Sequence, residues 1–132
     1  MNTAAAIQVA AAVICCDGRY LITRRKPGTH LEGLWEFPGG KRERGETLED
    51  CLRRELREEL AVRISEPVLF QVVRHDYPEK SVELHFFRCR MEPGDVPLLE
   101  GADLKWVAAE QLGSFAFPEA DHALVTALQN GM

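Results

Sequence analysis

The segment 47–60 constrains the fold more than any other part of this sequence, because it reads as one amphipathic helix. It contains neither glycine nor proline, and Thr47 can cap its amino end. Leucine recurs at every fourth position, and these residues share one helix face: Leu48, Leu52, Leu56 and Leu60. We therefore predict a helix over 47–60 whose leucine face packs against the core of a globular domain.

The same helix carries a cluster of carboxylates. With about 100° of rotation per residue, Glu55, Glu58 and Glu59 fall within an arc of roughly 100°. Glu55 and Glu59 border the leucine face, where solvent is limited and anions need a counter-charge. A hard divalent cation such as Mg²⁺ would supply it, and the Gly39-Gly40 pair could add a backbone carbonyl ligand. A solvated acidic patch is the alternative interpretation. These features alone do not decide between a cation site and a solvated acidic patch.

The rest of the sequence predicts strands on both sides of this helix. Asp17-Gly18 lies between apolar segments at 7–16 and 19–23, which predicts a hairpin with a type I′ turn. The other predicted elements are a loop at 26–36, strands at 62–74 and 81–91, a loop at 92–101, a short strand at 104–107 and a terminal helix at 118–129. Strands before and after a central helix predict a mixed sheet with helices packed against it.

Composition excludes several classes of protein. The 132 residues include 16 Lys and Arg against 21 Asp and Glu, a net charge of −5. Proteins that bind long nucleic acid are normally basic, so we expect no such partner, whereas a small phosphate ligand is compatible. The length suits a single domain over 1–132, and no apolar run reaches the roughly 18 residues that cross a membrane. The four cysteines have no Cys-x-x-Cys spacing, so we expect no disulfide framework and a cytoplasmic location.

The stretch 40–62 carries the most specific motif. It consists of Gly40, Glu46 and the run Arg-Glu-Leu-Arg-Glu-Glu-Leu-Ala-Val at 54–62. This arrangement resembles the Nudix box, G-x5-E-x7-R-E-U-x-E-E-x-G-U with U an aliphatic residue, and it fits eight of the nine defined positions. The departure is Ala61, where the family has glycine. Because glycine would end the helix in a left-handed conformation, we expect Ala61 to cost about 1 kcal/mol or to shift the turn.

The stretch 34–41, Leu-Trp-Glu-Phe-Pro-Gly-Gly-Lys, is similar to the lead-in of the MutT-like branch of this family. The resemblance implies an α+β fold, an α/β/α sandwich in which a mixed central β-sheet packs between helices. It also implies a pyrophosphohydrolase that converts a nucleoside triphosphate to a monophosphate and pyrophosphate with Mg²⁺, or with Mn²⁺ in its place. It does not fix the oligomeric state, so we expect a monomer or a homodimer.

Individual roles also follow from the resemblance. It implies metal ligands at the Gly39 carbonyl, Glu55, Glu58, Glu59 and Glu100. Glu55 is the better candidate for general base among the box residues, and Glu58 shares the catalytic role. Arg54 would orient the carboxylates by ion pairing, with Glu46 near the metal or in the loop. Lys41 is expected to contact a phosphate.

Recognition of the base is implied at a second group of residues. Arg25 resembles a position that lines the base pocket in MutT-like enzymes, and Phe37 and Tyr77 could form apolar walls. Asp121 stands where sanitisers of oxidised guanine carry Asn. An ionised Asp only accepts hydrogen bonds, which suits the exocyclic amino group of cytosine. A protonated Asp, with its pKa raised by burial, could instead read oxidised guanine.

Three functions are therefore compatible with the sequence. Hydrolysis of 8-oxo-dGTP is expected first, because the order of the segments is MutT-like. Hydrolysis of CTP or 5-methyl-dCTP is the alternative that rests on Asp121. A catalytically silent, nucleotide-binding Nudix module belongs to another class. Such modules usually lose box carboxylates, whereas Glu55, Glu58 and Glu59 are all present.

Overall fold

The computed structural model describes residues 6–98 and 103–131. Seven strands form one mixed sheet: β1 (Ile7–Cys16), β2 (Arg19–Arg24), β3 (Trp35–Glu36), β4 (Gly39–Lys41), β5 (Val68–Asp76), β6 (Ser81–Cys89) and β7 (Leu104–Ala108). The helices are α1 (Leu48–Leu60) and α2 (His122–Gln129), with short 3₁₀ helices at Ala109–Ser114 and Glu119–Asp121. None of the described helices is long and apolar enough to cross a membrane.

The central strand β1 organises the sheet. It pairs in parallel with β6 and antiparallel with both β4 and β2, and the sheet runs in the order β3-β2-β1-β6-β5. Strand β4 adds to β1, and β7 adds to β2. The predicted mixed sheet is confirmed.

Alternate residues of β1 contribute to two separate cores, since successive side chains of a strand point to opposite faces. Ala10, Ala12 and Ile14 pack with the leucine face of α1. Ala11 and Val13 pack on the opposite face, with the apolar residues of α2. Helices therefore cover both faces of the sheet, which confirms the predicted α/β/α arrangement.

Several predicted elements are confirmed in detail. Asp17 and Gly18 both have positive φ, as a type I′ turn requires. The Thr47 hydroxyl accepts a hydrogen bond from the Asp50 amide at 3.0 Å and caps α1. Leu52, Leu56 and Leu60 of the predicted stripe are fully buried, and Leu48 packs at its edge.

Three boundaries were predicted wrongly. The strand placed at 62–74 begins only at Val68, because Pro67 lacks an amide hydrogen, although Ile64 forms an isolated bridge with Met91. The loop placed at 26–36 contains the two-residue strand β3, which pairs with β2. The terminal helix placed at 118–129 is a 3₁₀ turn followed by α2, which begins at His122.

Helix α1 ends as the family motif implies, although the residue is not glycine. Ala61 adopts the left-handed conformation with φ 55° and ψ 34°. Its amide donates to the Arg57 carbonyl at 3.0 Å, and the Val62 amide reaches the Leu56 carbonyl at 3.4 Å. The turn is therefore unshifted, and the alanine retains the steric penalty of a β-carbon at positive φ.

We predict that Ala61→Gly raises the free energy of unfolding by about 1 kcal/mol, because glycine adopts this conformation without a steric penalty. Urea denaturation measures the change. Ala108→Gly is the matched control, because Ala108 has φ −64° and gains nothing from glycine. Equal effects of both substitutions, or destabilisation by Ala61→Gly, would contradict this account of the helix end.

Candidate active site

Arg54 connects α1 to the loop that precedes it. Its guanidinium donates to both carboxylate oxygens of Glu46, at 2.7 and 2.8 Å, and to the Lys41 carbonyl at 3.1 Å. It also donates to Glu55 and Glu58, each at 3.0 Å. One cation thus fixes three carboxylates of the Nudix-like motif, which fits the predicted orienting role of Arg54.

Glu46 is the most strongly held of these carboxylates. The two-pronged bond from Arg54, with a backbone bond from the Glu43 amide, lowers the pKa of Glu46 to about 2. The pKa of Arg54 is raised by the same contact. Because Glu46 has these bonds, its role in the structure is to hold the 41–47 loop against α1.

Glu55 lies against a backbone that has no room for a side chain. A β-carbon added to Gly40 would overlap the Glu55 carboxylate, whose oxygens would lie only 2.5 Å away. The Glu55 side chain is only 17% exposed. A side chain at position 40 would therefore displace the Glu55 carboxylate from its place against β4.

Glu59 lies beside Glu55 and closes the inner end of the acidic cluster. Burial raises the pKa of Glu59 well above its usual range, and the nearby Glu36 and Glu55 carboxylates raise it further. Glu55 also lies within hydrogen-bonding reach of Glu59. Two partly buried carboxylates this close favour a shared proton or a bound cation, in line with the predicted position of Glu55 and Glu59 beside the leucine face.

Glu58 does not join this pair. Its side chain is 60% exposed and contacts Arg54. In the part of the chain that the structure describes, no three His, Cys, Asp or Glu side chains converge into a preformed metal site. Glu100 lies outside the described residues. The structure thus brings together Glu55 and Glu59 of the predicted ligands.

The donor set nevertheless suits a hard divalent cation. It consists of oxygen atoms, and although Arg54 bonds to Glu55, the negative charges of Glu36 and Glu55 both act on Glu59. Mg²⁺ commonly binds through one or two carboxylates together with waters and substrate phosphates, so a preformed cage of protein ligands is not required.

The five predicted substrate residues, Arg25, Phe37, Lys41, Tyr77 and Asp121, all line one pocket. Its cavity volume is about 320 Å³, and its wall also includes Gly39 and Glu59. The pocket therefore brings Glu59 together with the residues that were expected to recognise a base, although these residues are far apart in the sequence.

The predicted apolar walls also have structural contacts. Phe37 is buried, stacks on Phe117 at 5.4 Å and meets the edge of Phe86 at 6.1 Å. Tyr77 packs edge-on against His30 at 5.0 Å and His75 at 4.5 Å. Each ring therefore belongs to an aromatic cluster and presents part of its surface to the pocket.

Cations accumulate at the mouth of the pocket. Lys26, Lys41 and Lys80 all line it. Burial lowers the pKa of the Lys80 ammonium, and the positive charges of Lys41 and Arg25 lower it further. Because these positive charges lie close together, they indicate a binding place for an anion. The protein has this local positive charge although its net charge is −5.

Asp121 lines the same pocket and is only 5% exposed. It precedes α2, yet its side chain makes no capping bond to the helix. Burial and the nearby charge of Glu36 raise the pKa of Asp121 to about 7, while Arg25 lowers it. The carboxyl group is therefore available to a ligand and titrates near neutral pH.

Sequence reasoning missed other pocket residues, among them Thr23, His30, Glu36 and Lys80. Glu36 had a detectable signal, because it is a charged residue between Trp35 and Phe37, both of which are buried. The others had none, since Lys80 reads as an ordinary turn residue and His30 as part of a loop.

Comparison with known proteins places this geometry in a family. A family model described as NUDIX domain matches residues 9–127. The chain is 34% identical to the 8-oxo-dGTP diphosphatase of Haemophilus influenzae, covering 94% of this chain and 92% of that protein. It is 31% identical to the CTP pyrophosphohydrolase of Escherichia coli, covering 92% of this chain and 90% of that protein. A solved structure from a study of MutT from Aliivibrio salmonicida and Vibrio cholerae has a TM-score of 0.74 at 30% identity, covering 92% and 94%.

The chain therefore belongs to the Nudix hydrolase family. Within that family it is a MutT-like pyrophosphohydrolase, as the residues at 34–41 and 54–62 predicted. Enzymes of this family generally use a divalent metal ion and act on nucleoside triphosphates.

We predict that Glu46→Gln removes a stabilising contribution that depends on pH. In the folded protein the pKa of Glu46 is about 2, below its ordinary value of 4.5. A depressed pKa stabilises the folded state above the unfolded-state pKa, and this contribution is lost as the pH falls toward the folded-state pKa. Urea unfolding of the parent and the variant should therefore differ most above about pH 5 and converge in more acidic solution.

Glu43→Gln is the control for this prediction, because Glu43 is 68% exposed and lies 3.7 Å from Arg54. It should change stability little at any pH. A difference between the parent and Glu46→Gln that does not vary with pH would show that the Arg54–Glu46 ion pair does not hold the loop.

Proposed function

We propose that this protein hydrolyses 8-oxo-dGTP to the monophosphate and pyrophosphate with bound Mg²⁺, and so removes oxidised dGTP from the cytoplasmic nucleotide pool. The observation that carries the proposal is one pocket whose wall includes Glu59, which lies beside Glu55, together with Lys41, Lys80 and Asp121. The relatives named 8-oxo-dGTP diphosphatase support the choice of substrate.

The acidic end of the pocket would hold the metal. We propose that Glu55, Glu58, Glu59 and the Gly39 carbonyl are its ligands, with Glu100 as a further one. Bound there, Mg²⁺ supplies charge that neutralises phosphate oxygens and lowers the pKa of a coordinated water. Mn²⁺ has similar ligand preferences and would replace it.

The chain's own residues would orient the reactants. Arg54 holds Glu55 and Glu58 through bonds of 3.0 Å, so neither carboxylate turns freely. We propose that Glu55 accepts a proton from the attacking water. Its side chain is only 17% exposed, so few solvent molecules compete for the carboxylate. Lys41 and Lys80 would bind the triphosphate oxygens at the mouth of the pocket.

The base would lie between Tyr77, Phe37 and Asp121. Oxidised guanine presents both donors and acceptors, and a carboxyl group that titrates near pH 7 can offer either. Arg25 lines the same wall.

Hydrolysis of CTP or 5-methyl-dCTP is the second candidate. It is favoured by Asp121, which in its ionised form accepts from an exocyclic amino group, and by the relative named CTP pyrophosphohydrolase. In either case we expect the protein to work as a monomer or a homodimer.

Pyrophosphate release from a panel of nucleotides tests the proposal. The panel contains 8-oxo-dGTP, dGTP, CTP, dCTP and 5-methyl-dCTP, each with Mg²⁺, with Mn²⁺ and with a chelator. We expect the highest kcat/KM for 8-oxo-dGTP and no turnover with chelator. Preference for a cytosine nucleotide would reverse the order of the two candidates, and no turnover of any nucleotide would identify a silent binding module.

We predict that Glu58→Gln lowers kcat at least about 100-fold, because it removes a proposed ligand of the metal. The fold should persist, since Glu58 is 60% exposed and its contact is the surface bond to Arg54. Urea denaturation and pyrophosphate release, measured on the same preparation, check both parts.

Glu49→Gln is the matched control for Glu58→Gln, because Glu49 lies in the first turn of the same helix and is exposed. It should leave both properties unchanged. Unfolding of Glu58→Gln would indicate that Glu58 has a structural role, and turnover equal to that of the parent would exclude Glu58 from the reaction.

A further inference from the structure

Glu36 is a pocket residue to which sequence reasoning gave no role. It lies on the short strand β3, and its side chain is 25% exposed. Its carboxylate accepts a bond of 2.6 Å from Nη1 of Arg25. Burial raises the pKa of Glu36, and the charge of Arg25 opposes that change. The pair is therefore a close contact of two opposite charges in the pocket wall.

Arg25 has a second bond that fixes its direction. Its Nε donates to the His30 carbonyl at 2.5 Å, so the guanidinium spans from β3 to the loop after β2. Within the described part of the chain, Arg25 forms an ion pair with Glu36 and none with Asp121. Arg25 lines the same pocket as Asp121, yet its guanidinium bonds to Glu36.

Asp121 is consequently a buried carboxyl group without a paired cation among the described residues. The charged and titratable groups that face it come from three other elements: Glu36 on β3, Arg25 at the end of β2, and Tyr77 after β5. On its own 3₁₀ turn the neighbouring charged residue is Glu119, which pairs with His75 at 3.2 Å. Arg25 is the cation whose charge acts on Asp121, so it is the group that could pair with this carboxylate.

We propose that Glu36 is a positioning residue that determines base specificity: by pairing with Arg25, it keeps the guanidinium from Asp121 and leaves that carboxyl group to the nucleobase. The inference rests on the proposed function, because it assumes that the pocket binds a nucleotide. It assigns to Glu36 an effect on the choice of base, transmitted through Arg25, that is separate from hydrolysis.

The neutral and the ionised forms of Asp121 offer different hydrogen bonds to a base. The burial of Asp121 and the charge of Glu36 support a neutral form of Asp121, which donates one hydrogen bond and accepts another. A guanidinium released from Glu36 would pair with Asp121 and hold it ionised, so that it only accepts. Oxidised guanine needs both capacities, whereas the amino group of cytosine needs only an acceptor.

The test is the binding of two nucleoside monophosphates without metal, measured by titration calorimetry at about pH 6.5, where the pKa of Asp121 of about 7 favours the neutral form. The probes are 8-oxo-dGMP and dCMP. We expect Glu36→Gln to shift the ratio of their dissociation constants about tenfold or more toward dCMP, the effect of losing one hydrogen bond to the base. An unchanged ratio would overturn the inference.

Two further variants separate this effect from a general disturbance of the pocket. In the Asp121→Asn background the side chain cannot ionise, so adding Glu36→Gln should leave the ratio unchanged. Arg25→Gln removes the cation itself and should not shift the ratio toward dCMP. A shift toward dCMP in either case would overturn the inference, and Arg25→Gln keeps it testable if Glu36→Gln does not fold.

Glu32→Gln is the surface control, because Glu32 is exposed on the loop that Arg25 contacts. It should bind both probes as the parent does. Failure of the proposed function has a different signature: a parent that binds both probes but hydrolyses no triphosphate would refute the enzyme, while the effect of Glu36 on the ratio would still be measured. A parent that binds neither probe would overturn both.

Discussion

The site depends first on the guanidinium of Arg54. It joins α1 to the loop at 41–47 through Glu46 and the Lys41 carbonyl, and on the same side it holds Glu55 and Glu58. Without this cation the carboxylates of α1 would repel one another across a surface that solvent only partly reaches. The absence of a side chain at Gly40 is the second requirement, because it leaves room for the Glu55 carboxylate against β4. Ion pairing and a missing β-carbon together place the acidic groups.

Charge is distributed unevenly along the pocket, and this distribution links binding to chemistry. Arg54 pairs with Glu55, but the negative charges of Glu36 and Glu55 act on Glu59, whereas the positive charges of Lys41 and Arg25 act on Lys80. A triphosphate with its cation would offset both imbalances at once. Glu36 lies near both Glu59 and Asp121, since its charge affects each of them. An acidic protein with a net charge of −5 can therefore bind a polyanion, because the deficit is local.

Much of this arrangement could be predicted from local pattern. The leucine stripe predicted α1 and its buried face, Asp17-Gly18 predicted the first hairpin, and the helix geometry predicted that Glu55 and Glu59 would lie beside the leucine face. The spacing could not predict that Arg54 would hold Glu58 toward solvent, since that depends on side-chain contacts. It missed Glu36 as well, because a carboxylate beside aromatic residues gains meaning only once Arg25 is brought to it from another strand. Strand limits were misplaced at Pro67, which delays the start of β5, and at β3, a two-residue strand inside the predicted loop.

The central claim is that the acidic pair on α1 is incomplete until it binds a cation, and the dependence of stability on Mg²⁺ tests this most directly. Above the dissociation constant, the free energy of unfolding of the parent should rise by about 1.4 kcal/mol for each tenfold increase in free Mg²⁺. Glu59→Gln should be more stable than the parent without Mg²⁺, because glutamine has no carboxylate charge to be desolvated by burial beside Glu36 and Glu55, and it should respond weakly to the ion. A parent whose stability does not depend on Mg²⁺, or a variant that responds equally, would contradict the account.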